Sequence, residues 1–259
     1  MRTANRSDVG KVRLINEDRA FVDENLNGLT LAIVADGMGG HQAGDKASEL
    51  AVQTIQQQLA DLHSGMSRDE MEQALRRAID KANETIYAYA QQNGELAGMG
   101  TTIVVVIVDD ASWMIAHIGD SRAYKLSSED LEQLTEDHSL VNELLKRGQI
   151  TSEEAEHHPR KHVLIRALGT DETVHADVYW GTWQNDEIIL ICSDGLSGLV
   201  DEAQMKRIVL AGRDLEQIAD QLVQAALDAG GDDNITVVLL NNQDSAMQGY
   251  AAEITEVES

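Results

Sequence analysis

The stretch Ala32-Ile33-Val34-Ala35-Asp36-Gly37-Met38-Gly39-Gly40-His41-Gln42-Ala43-Gly44 decides how this chain of 259 residues is organised. Its apolar start predicts a buried strand, with Asp36 at the end of that strand. Several glycines follow, and glycine permits backbone approaches that a side chain would block. Helical spacing begins after Gly44. The stretch therefore presents one carboxylate and nearby backbone groups to an ion.

Two common phosphate-binding motifs do not fit this stretch. A P-loop requires lysine directly after its second glycine, and Asp45 stands there. A dinucleotide fingerprint requires a third glycine, and Gln42 occupies that position. The remaining alternatives are a structural turn and a metal-binding carboxylate, and the residues further along the chain favour the second.

Composition limits the classes of function. The formal charge is −25, which argues against nucleic-acid or anionic-membrane binding, because both require basic surface. Part of the excess acid is expected in carboxylate clusters that bind cations. The single cysteine, Cys192, fits a reducing cytoplasm, and no apolar run reaches the length of a membrane span. We expect a cytoplasmic protein without membrane insertion.

Hydrophobic periodicity predicts one domain over residues 1–240. Strands are predicted at 3–9, 19–25, 29–35, 103–108, 113–118, 123–126, 131–134, 188–192 and 235–240, and helices at 42–62, 68–93, 139–147, 152–157, 201–210 and 214–229. Residues 241–259 carry four acidic residues and neither Lys nor Arg, which is typical of a disordered tail.

Four aspartates share one context, because each stands beside glycine or asparagine at the end or start of an apolar strand. They are Asp36, Asp120, Asp194 and Asp233. Carboxylate-rich, all-oxygen sites suit Mg²⁺ or Mn²⁺ better than zinc.

A polar section with many histidines offers zinc as a less favoured alternative. The histidines are His138, His157, His158, His162 and His175. Their spacing matches no zinc pattern, and the section fits a mobile subdomain over a cleft. Cys192 is predicted to be a core thiol, since Gly198 stands where a cysteine-dependent phosphatase has its arginine.

Taken together, these motifs resemble the metal-dependent serine/threonine phosphatases of type 2C, the PPM family, in their compact bacterial form. The matching stretches follow the family order and are Ser7-Asp8-Val9-Gly10, Arg13-Leu14-Ile15-Asn16-Glu17-Asp18, Ala35-Asp36-Gly37-Met38-Gly39-Gly40-His41, Gly100-Thr101-Thr102, Gly119-Asp120-Ser121-Arg122, Cys192-Ser193-Asp194-Gly195-Leu196 and Gly230-Gly231-Asp232-Asp233-Asn234-Ile235-Thr236.

The resemblance implies an α+β fold, an α-β-β-α sandwich of two antiparallel sheets flanked by helix pairs, with Mn²⁺ or Mg²⁺ in a cleft at one end. It implies that Asp36 bridges two metals. Asp194 and Asp233 would complete the shell of the first metal, and the Gly37 carbonyl would bind the second. Asp120, together with Asp194, would form a third metal site.

Other positions receive roles from the same resemblance. Arg13 matches the arginine that holds the substrate phosphate, and Glu17 and Asp18 match carboxylates that orient bound water. Residues 139–176 resemble the flap beside the cleft. Eukaryotic relatives have histidine where this chain has Met38, so His41 is considered as a general acid.

The implied function is hydrolysis of phosphoserine and phosphothreonine in proteins by a metal-activated water. Its partners would be phosphorylated proteins, including a bacterial Hanks-type kinase that the enzyme opposes, and the enzyme is expected to be a monomer. One alternative is a phosphatase dedicated to a single regulator such as an anti-sigma-antagonist. Another is a non-catalytic phosphoprotein-binding module.

Overall fold

The computed structural model describes residues 1–39, 43–212 and 214–243, apart from the side chain of Glu156. Two antiparallel sheets are stacked face to face, and helices cover both outer faces, as the sequence predicts. No helix within the described ranges is long and apolar enough to cross a bilayer.

The strands divide between the two sheets without regard to their order in the chain. One sheet has the strand order β2-β3-β5-β6-β9, with β4 paired to β3, and the other has the order β1-β11-β10-β7-β8. The strands are β1 (Arg2–Asp8), β2 (Asp18–Leu26), β3 (Leu29–Met38), β4 (Gly100–Thr101), β5 (Ile103–Val108), β6 (Ser112–Ile118), β7 (Arg122–Leu126), β8 (Leu131–Gln133), β9 (Asp177–Thr182), β10 (Ile188–Cys192) and β11 (Ile235–Asn241).

The helices pack in pairs on the outer faces or lie at the rim of the sandwich. They are α1 (Ala43–Gln58), α2 (Arg68–Gln92), α3 (Leu140–Lys146), α4 (Ser152–Glu156), α5 (Asp194–Ser197), α6 (Glu202–Ala211) and α7 (Leu215–Asp228), with a 3₁₀ turn at Gly94–Leu96. At the start of α2, the Ser67 side chain accepts from the Glu70 amide and the Glu70 carboxylate accepts from the Ser67 amide. This reciprocal cap fixes where α2 begins.

Alternation of side chains along the strands creates the layers. The odd-numbered residues of β5 belong to the core beneath α1 and α2, and the even-numbered residues belong to the core between the sheets. In β11, the odd-numbered residues 235, 237 and 239 pack against α6 and α7. All the residues of β5 are buried, which explains why its sequence is a continuous apolar run with no polar alternation.

The structure corrects several predicted boundaries. Strand β3 does not end at Asp36 but continues to Met38, because Gly37 and Met38 pair with β4. Strand β10 ends at Cys192, and Asp194 begins the one-turn helix α5, which the sequence did not predict and for which Ser193 is the N-cap. Strand β9 was not predicted, because it is an edge strand with only partly buried residues and lacks an apolar run.

The end of the described chain also differs slightly from the prediction. Strand β11 reaches Asn241, and the Asn242 amide donates to the Glu187 carbonyl at 3.1 Å. The last residues of the predicted tail, 244–259, lie outside the described residues.

Helix α5 is held against the start of β11 by a backbone contact at Gly195. A Cβ atom on Gly195 would lie 1.9 Å from the Asn234 carbonyl oxygen. We predict that Gly195→Ala lowers the free energy of unfolding by about 1–3 kcal/mol or more, because α5 and β11 must separate.

Urea unfolding of the two alanine variants Gly195→Ala and Gly94→Ala tests this prediction. No atom lies within 4 Å of a Cβ built on Gly94, so Gly94→Ala should change stability by less than about 0.5 kcal/mol. Equal stability of the two variants would contradict the close contact.

Candidate metal centre

The predicted metal ligands meet in one cleft of about 450 Å³ at one end of the sandwich. They come together because β3, β6 and β10 end there and β11 begins there. The cleft is lined by Arg13, Glu17, Asp36, Gly37, Met38, Gly39, Thr102, Asp120, Lys161, His162, Leu164, Asp194, Gly195, Gly198, Leu199, Asp232 and Asp233.

Asp36 is fixed by hydrogen bonds on both sides of its backbone. Its amide donates to Thr102 Oγ1 at 3.0 Å, and its carbonyl accepts from the Thr102 amide and from Thr101 Oγ1, both at 2.8 Å. The Thr102 hydroxyl is also 2.7 Å from the Ser121 hydroxyl. Since Ser121 follows Asp120, these hydroxyl groups tie two of the predicted ligands to each other.

Asp18 is not part of the cleft lining but lies opposite Asp36 in the pairing of β2 with β3. Side chains directly opposite in an antiparallel pair have Cβ atoms about 4.5–5.5 Å apart. Asp18 Oδ2 accepts from the Ser193 hydroxyl at 2.7 Å, while its buried Oδ1 has no hydrogen-bond partner among the described residues. The buried carboxylate of Asp18 thus lies beside that of Asp36, which lines the cleft.

Asn234 joins the loop that carries Arg13 to the loop that carries Asp233. Its Nδ2 donates to the carbonyls of Val9 and Ile15 at 2.9 and 3.0 Å, and its Oδ1 accepts from the Glu17 amide at 2.8 Å. The sequence indicated a metal ligand at Asp233, but it did not indicate that Asn234 joins the two loops.

Arg13 reaches into the cleft from that anchored loop. One of its terminal nitrogens donates to Asp233 Oδ2 at 2.8 Å, and its side chain is 49% exposed. The guanidinium group therefore lies at the opening of the carboxylate cluster, where a phosphate group can reach it.

Close backbone packing shapes the floor of the cleft at Gly37. A Cβ atom there would lie 2.1 Å from the carbonyl oxygen of Gly44 in the first turn of α1. The buried Glu17 Oε1 beside this contact has no hydrogen-bond partner among the described residues. Burial raises the pKa of Glu17.

The carboxylates raise one another's pKa values in addition to the effect of burial. The pKa of Asp36 is well above its ordinary value because of burial and of the charges on Asp18, Asp194, Asp120 and Asp233. Burial, followed by the charge on Asp194, raises the pKa of Asp120 to about 7. Burial likewise raises the pKa of Asp18 to about 7.

These features fit hard divalent cations. Unpaired buried carboxylate oxygens require protons or cations as compensation. Within the described ranges, no three His, Cys, Asp or Glu side chains are grouped closely enough to hold an ion without other ligands. Magnesium-type ions keep several waters and need only one or two carboxylates, so the carboxylates together with the Gly37 carbonyl suit them.

The histidine-rich section does not form a zinc site. His138 is buried at the base of the section, His162 lines the cleft, His157 and His175 are exposed, and His158 is half-buried. No group of three potential ligands that includes them occurs among the described residues. His162 Nδ1 lies 3.8 Å from Asp194 Oδ2, and this interaction raises the pKa of His162. The predicted flap thus borders the cleft through residues 161–164.

His138 has a positional role that the sequence did not reveal. Its Nδ1 accepts from the Gly119 amide at 3.1 Å, its own amide donates to the Gly119 carbonyl at 2.8 Å, and its Nε2 is 3.1 Å from Asp177 Oδ2. Asp177 also forms an ion pair with Arg166 at 3.0 Å. This network holds the turn before Asp120 and the two ends of the flap together.

Two other predictions concern single residues. Cys192 is a core thiol as expected, because it is fully buried and burial raises its pKa to about 12. His41, considered as a general acid, lies outside the described residues.

Several known proteins resemble this chain over most of its length. The protein-family model described as Protein phosphatase 2C matches residues 11–235. Serine/threonine phosphatase stp of Listeria monocytogenes is 44% identical over 235 residues, which cover 91% of this chain and 93% of that protein.

Solved structures show the same likeness. The crystal structure of serine/threonine phosphatase Stp1 from Staphylococcus aureus has a TM-score of 0.87 and 37% identity, covering 93% of this chain and 95% of that one. The catalytic domain of PstP in complex with two manganese ions has a TM-score of 0.80 and 34% identity, covering 93% of this chain and 97% of that one.

The raised carboxyl pKa values predict how stability of the metal-free protein depends on pH. The pKa of Asp120 is about 7 in the folded chain, against an ordinary value of 3.8. Between these two pH values the folded chain therefore keeps a proton on Asp120 that the unfolded chain has released. The stability contributed by this group is complete below about pH 4 and is lost as pH rises through about 7. Asp120→Asn should therefore melt at a higher temperature than the parent at pH 7.5, and this advantage should shrink at pH 5.5.

Thermal unfolding of chelated protein at the two pH values measures this effect. The exposed Asp61 provides the control, since Asp61→Asn should follow the parent at both values. The raised pKa of Asp120 would be contradicted if the melting temperature of Asp120→Asn differed from that of the parent by the same amount at both pH values.

Proposed function

The chain belongs to the protein phosphatase 2C family and is a serine/threonine protein phosphatase, and on that premise we propose that it hydrolyses phosphoserine and phosphothreonine in proteins with two Mn²⁺ or Mg²⁺ ions in the cleft. The observation that carries this proposal is the buried carboxylate cluster around Asp36, with Arg13 at its opening. The two manganese ions in the complex of the similar PstP catalytic domain support the choice of metal.

The cleft offers oxygen ligands for more than one ion. We assign Asp36 as the bridging ligand, Asp194 and Asp233 to the first ion, and the Gly37 carbonyl to the second. The charge on Asp194 is, after burial, the largest cause of the raised pKa of Asp120, which supports a third site between the two side chains. When bound, the ions would supply an activated water and neutralise charge on the phosphoryl group.

Arg13 would bind the phosphate. Its guanidinium group forms a planar fork that remains charged and matches two phosphate oxygens. In the structure it is held by Asp233, so it is positioned at the opening before substrate arrives. A positive group there also helps an acidic protein to accept an anionic substrate.

Glu17 and Asp18 are proposed to orient water from beneath the ions. Each has a buried oxygen with no hydrogen-bond partner among the described residues. Asp18 is fixed by the Ser193 hydroxyl through its other oxygen. Its free oxygen can therefore accept a hydrogen bond from water without loss of the side chain's position.

A nucleophile from the protein is not favoured by the described residues. Neither Cys192 nor Ser193 lines the cleft, and the Ser193 hydroxyl is bonded to Asp18. The thiol of Cys192 is buried with a pKa of about 12, so it is not a thiolate at neutral pH. Neither of these two side chains is therefore available as the nucleophile, in agreement with hydrolysis by a metal-activated water.

The biological setting that we propose is a bacterial cytoplasm, where a monomeric enzyme reverses the action of a Hanks-type kinase. The bacterial relatives support this setting. A phosphatase dedicated to one regulator, such as an anti-sigma-antagonist, is the alternative. The further alternative, a non-catalytic binding module, is not supported, because the chain belongs to a family of active phosphatases and keeps the carboxylate set.

Metal removal is the direct test of the proposal. Hydrolysis of p-nitrophenyl phosphate should vanish in EDTA and return with Mn²⁺ or Mg²⁺. Asp36→Asn should lower kcat/KM by more than ~100-fold, because even residues behind metal ligands contribute about 10- to 100-fold. Asp61→Asn, on the surface, should retain full activity. Full turnover by thoroughly chelated protein, or by Asp36→Asn, would contradict the mechanism.

Substitution of Arg13 separates phosphate binding from metal binding. Arg13→Ala should raise KM for a phosphopeptide by about 10- to 100-fold, the effect of losing charge-assisted hydrogen bonds. Arg13→Lys should have an intermediate effect, since lysine keeps the charge but lacks the fork.

The affinity of the same variants for Mn²⁺, measured by calorimetry, should not decrease, because Arg13 is not a ligand. Loss of metal binding in Arg13→Ala would assign a structural role to this residue instead.

A further inference from the structure

The loop beside Arg13 exposes apolar side chains at the rim of the cleft. Among the residues that the structure describes, eight large hydrophobic side chains are exposed, and three of them lie between positions 12 and 15. Leu14 is 98% exposed and Val12 is 64% exposed. Isolated exposed apolar residues are common, but such a concentration next to a binding group marks a contact surface.

This loop is held in place although its side chains are exposed. At its start, the Lys11 amide donates to the Gly231 carbonyl at 2.7 Å, and Lys11 Nζ donates to the Leu227 carbonyl at 2.6 Å. At its end, the Ile15 carbonyl accepts from Asn234 Nδ2 at 3.0 Å. Val12 and Leu14 are therefore presented on an anchored backbone, so the loop loses less conformational entropy when a ligand binds.

The position of the loop determines what can cover it. Arg13 lines the cleft, and Val12 and Leu14, its neighbours in the chain, lie outside the cleft lining. Their Cα atoms are about 3.8 Å from that of Arg13. An extended peptide advances about 3.3 Å per residue, so residues within two positions of a phosphorylated residue bound by Arg13 span a similar distance. The other cation beside these side chains, Lys11, is already bonded to the Leu227 carbonyl.

We propose that Val12 and Leu14 form an apolar subsite that selects phosphopeptides with a bulky aliphatic side chain within two residues of the phosphorylated serine or threonine. The proposal rests on the phosphatase function proposed above, because the substrate enters through the same cleft. It adds a preference that the metal centre and Arg13 cannot provide, since these recognise only the phosphate.

A set of phosphothreonine peptides tests the subsite. The peptides carry leucine or serine at each of the two positions before and after the phosphothreonine, and kcat/KM is measured with saturating Mn²⁺. For at least one position, the parent enzyme should prefer leucine by about 5- to 30-fold, the effect of burying part of a leucine side chain. In Leu14→Ser this preference should fall below about threefold.

Two control variants separate the apolar contact from other effects. Leu14→Met keeps an apolar side chain and should retain most of the preference. Leu210→Ser removes a half-exposed leucine of α6 that borders a depression with Arg2 and Asn241 at the far end of the sandwich, and it should behave as the parent. Hydrolysis of p-nitrophenyl phosphate should remain within twofold in all three variants.

The outcomes distinguish the subsite from the function on which it rests. Turnover of the peptides without a preference for leucine at any position, or a preference that persists in Leu14→Ser, overturns the subsite alone. Absence of Mn²⁺-dependent turnover of every substrate by the parent enzyme overturns the proposed function and the subsite with it.

Discussion

Repulsion between buried carboxylates is the constraint on which the rest of this structure depends. Asp18 and Asp36 stand directly opposite each other in adjacent strands, and Asp120, Asp194 and Asp233 add further negative charge. Such a cluster opposes folding unless protons or cations compensate it. The apolar layers of the sandwich provide the stability that keeps these groups together before any ion binds, and the cluster supplies the driving force for cation binding.

Short hydroxyl side chains fix the positions of these carboxylates. Thr102 fixes the backbone at Asp36 and contacts Ser121, while Ser193 holds one oxygen of Asp18. These groups act on the backbone at Asp36 or on one oxygen of Asp18, so they do not occupy the carboxylate of Asp36 or the second oxygen of Asp18. The site is thus rigid where it is attached to the sheets and open where it meets the cleft.

The resemblance of the motifs predicted the fold class, and hydrophobic patterns predicted most of the strands and helices. Four aspartates of the cleft, Asp36, Asp120, Asp194 and Asp233, could be found because an aspartate beside glycine or asparagine at a strand end is a local signal. It did not predict what depends on contacts between distant segments. The pairing of Gly37 with β4 extended a strand through glycine, and His138 bonds to Gly119 and Asp177 only after folding. The exposure of Leu14 could not be read from a loop that carries both apolar and charged residues.

The hydrogen bonds of Asn234 have a consequence for the order in which the chain folds. This residue near the C-terminal end joins Val9 and Ile15 near the start, and β11 pairs along the whole of β1. Contacts between such distant residues form late, because loop closure over most of the chain precedes them. Until β11 has paired with β1, the segment that carries Asp233 is not joined to the loop that carries Arg13. The complete cleft is therefore a product of the final steps of folding and has no partly folded precursor.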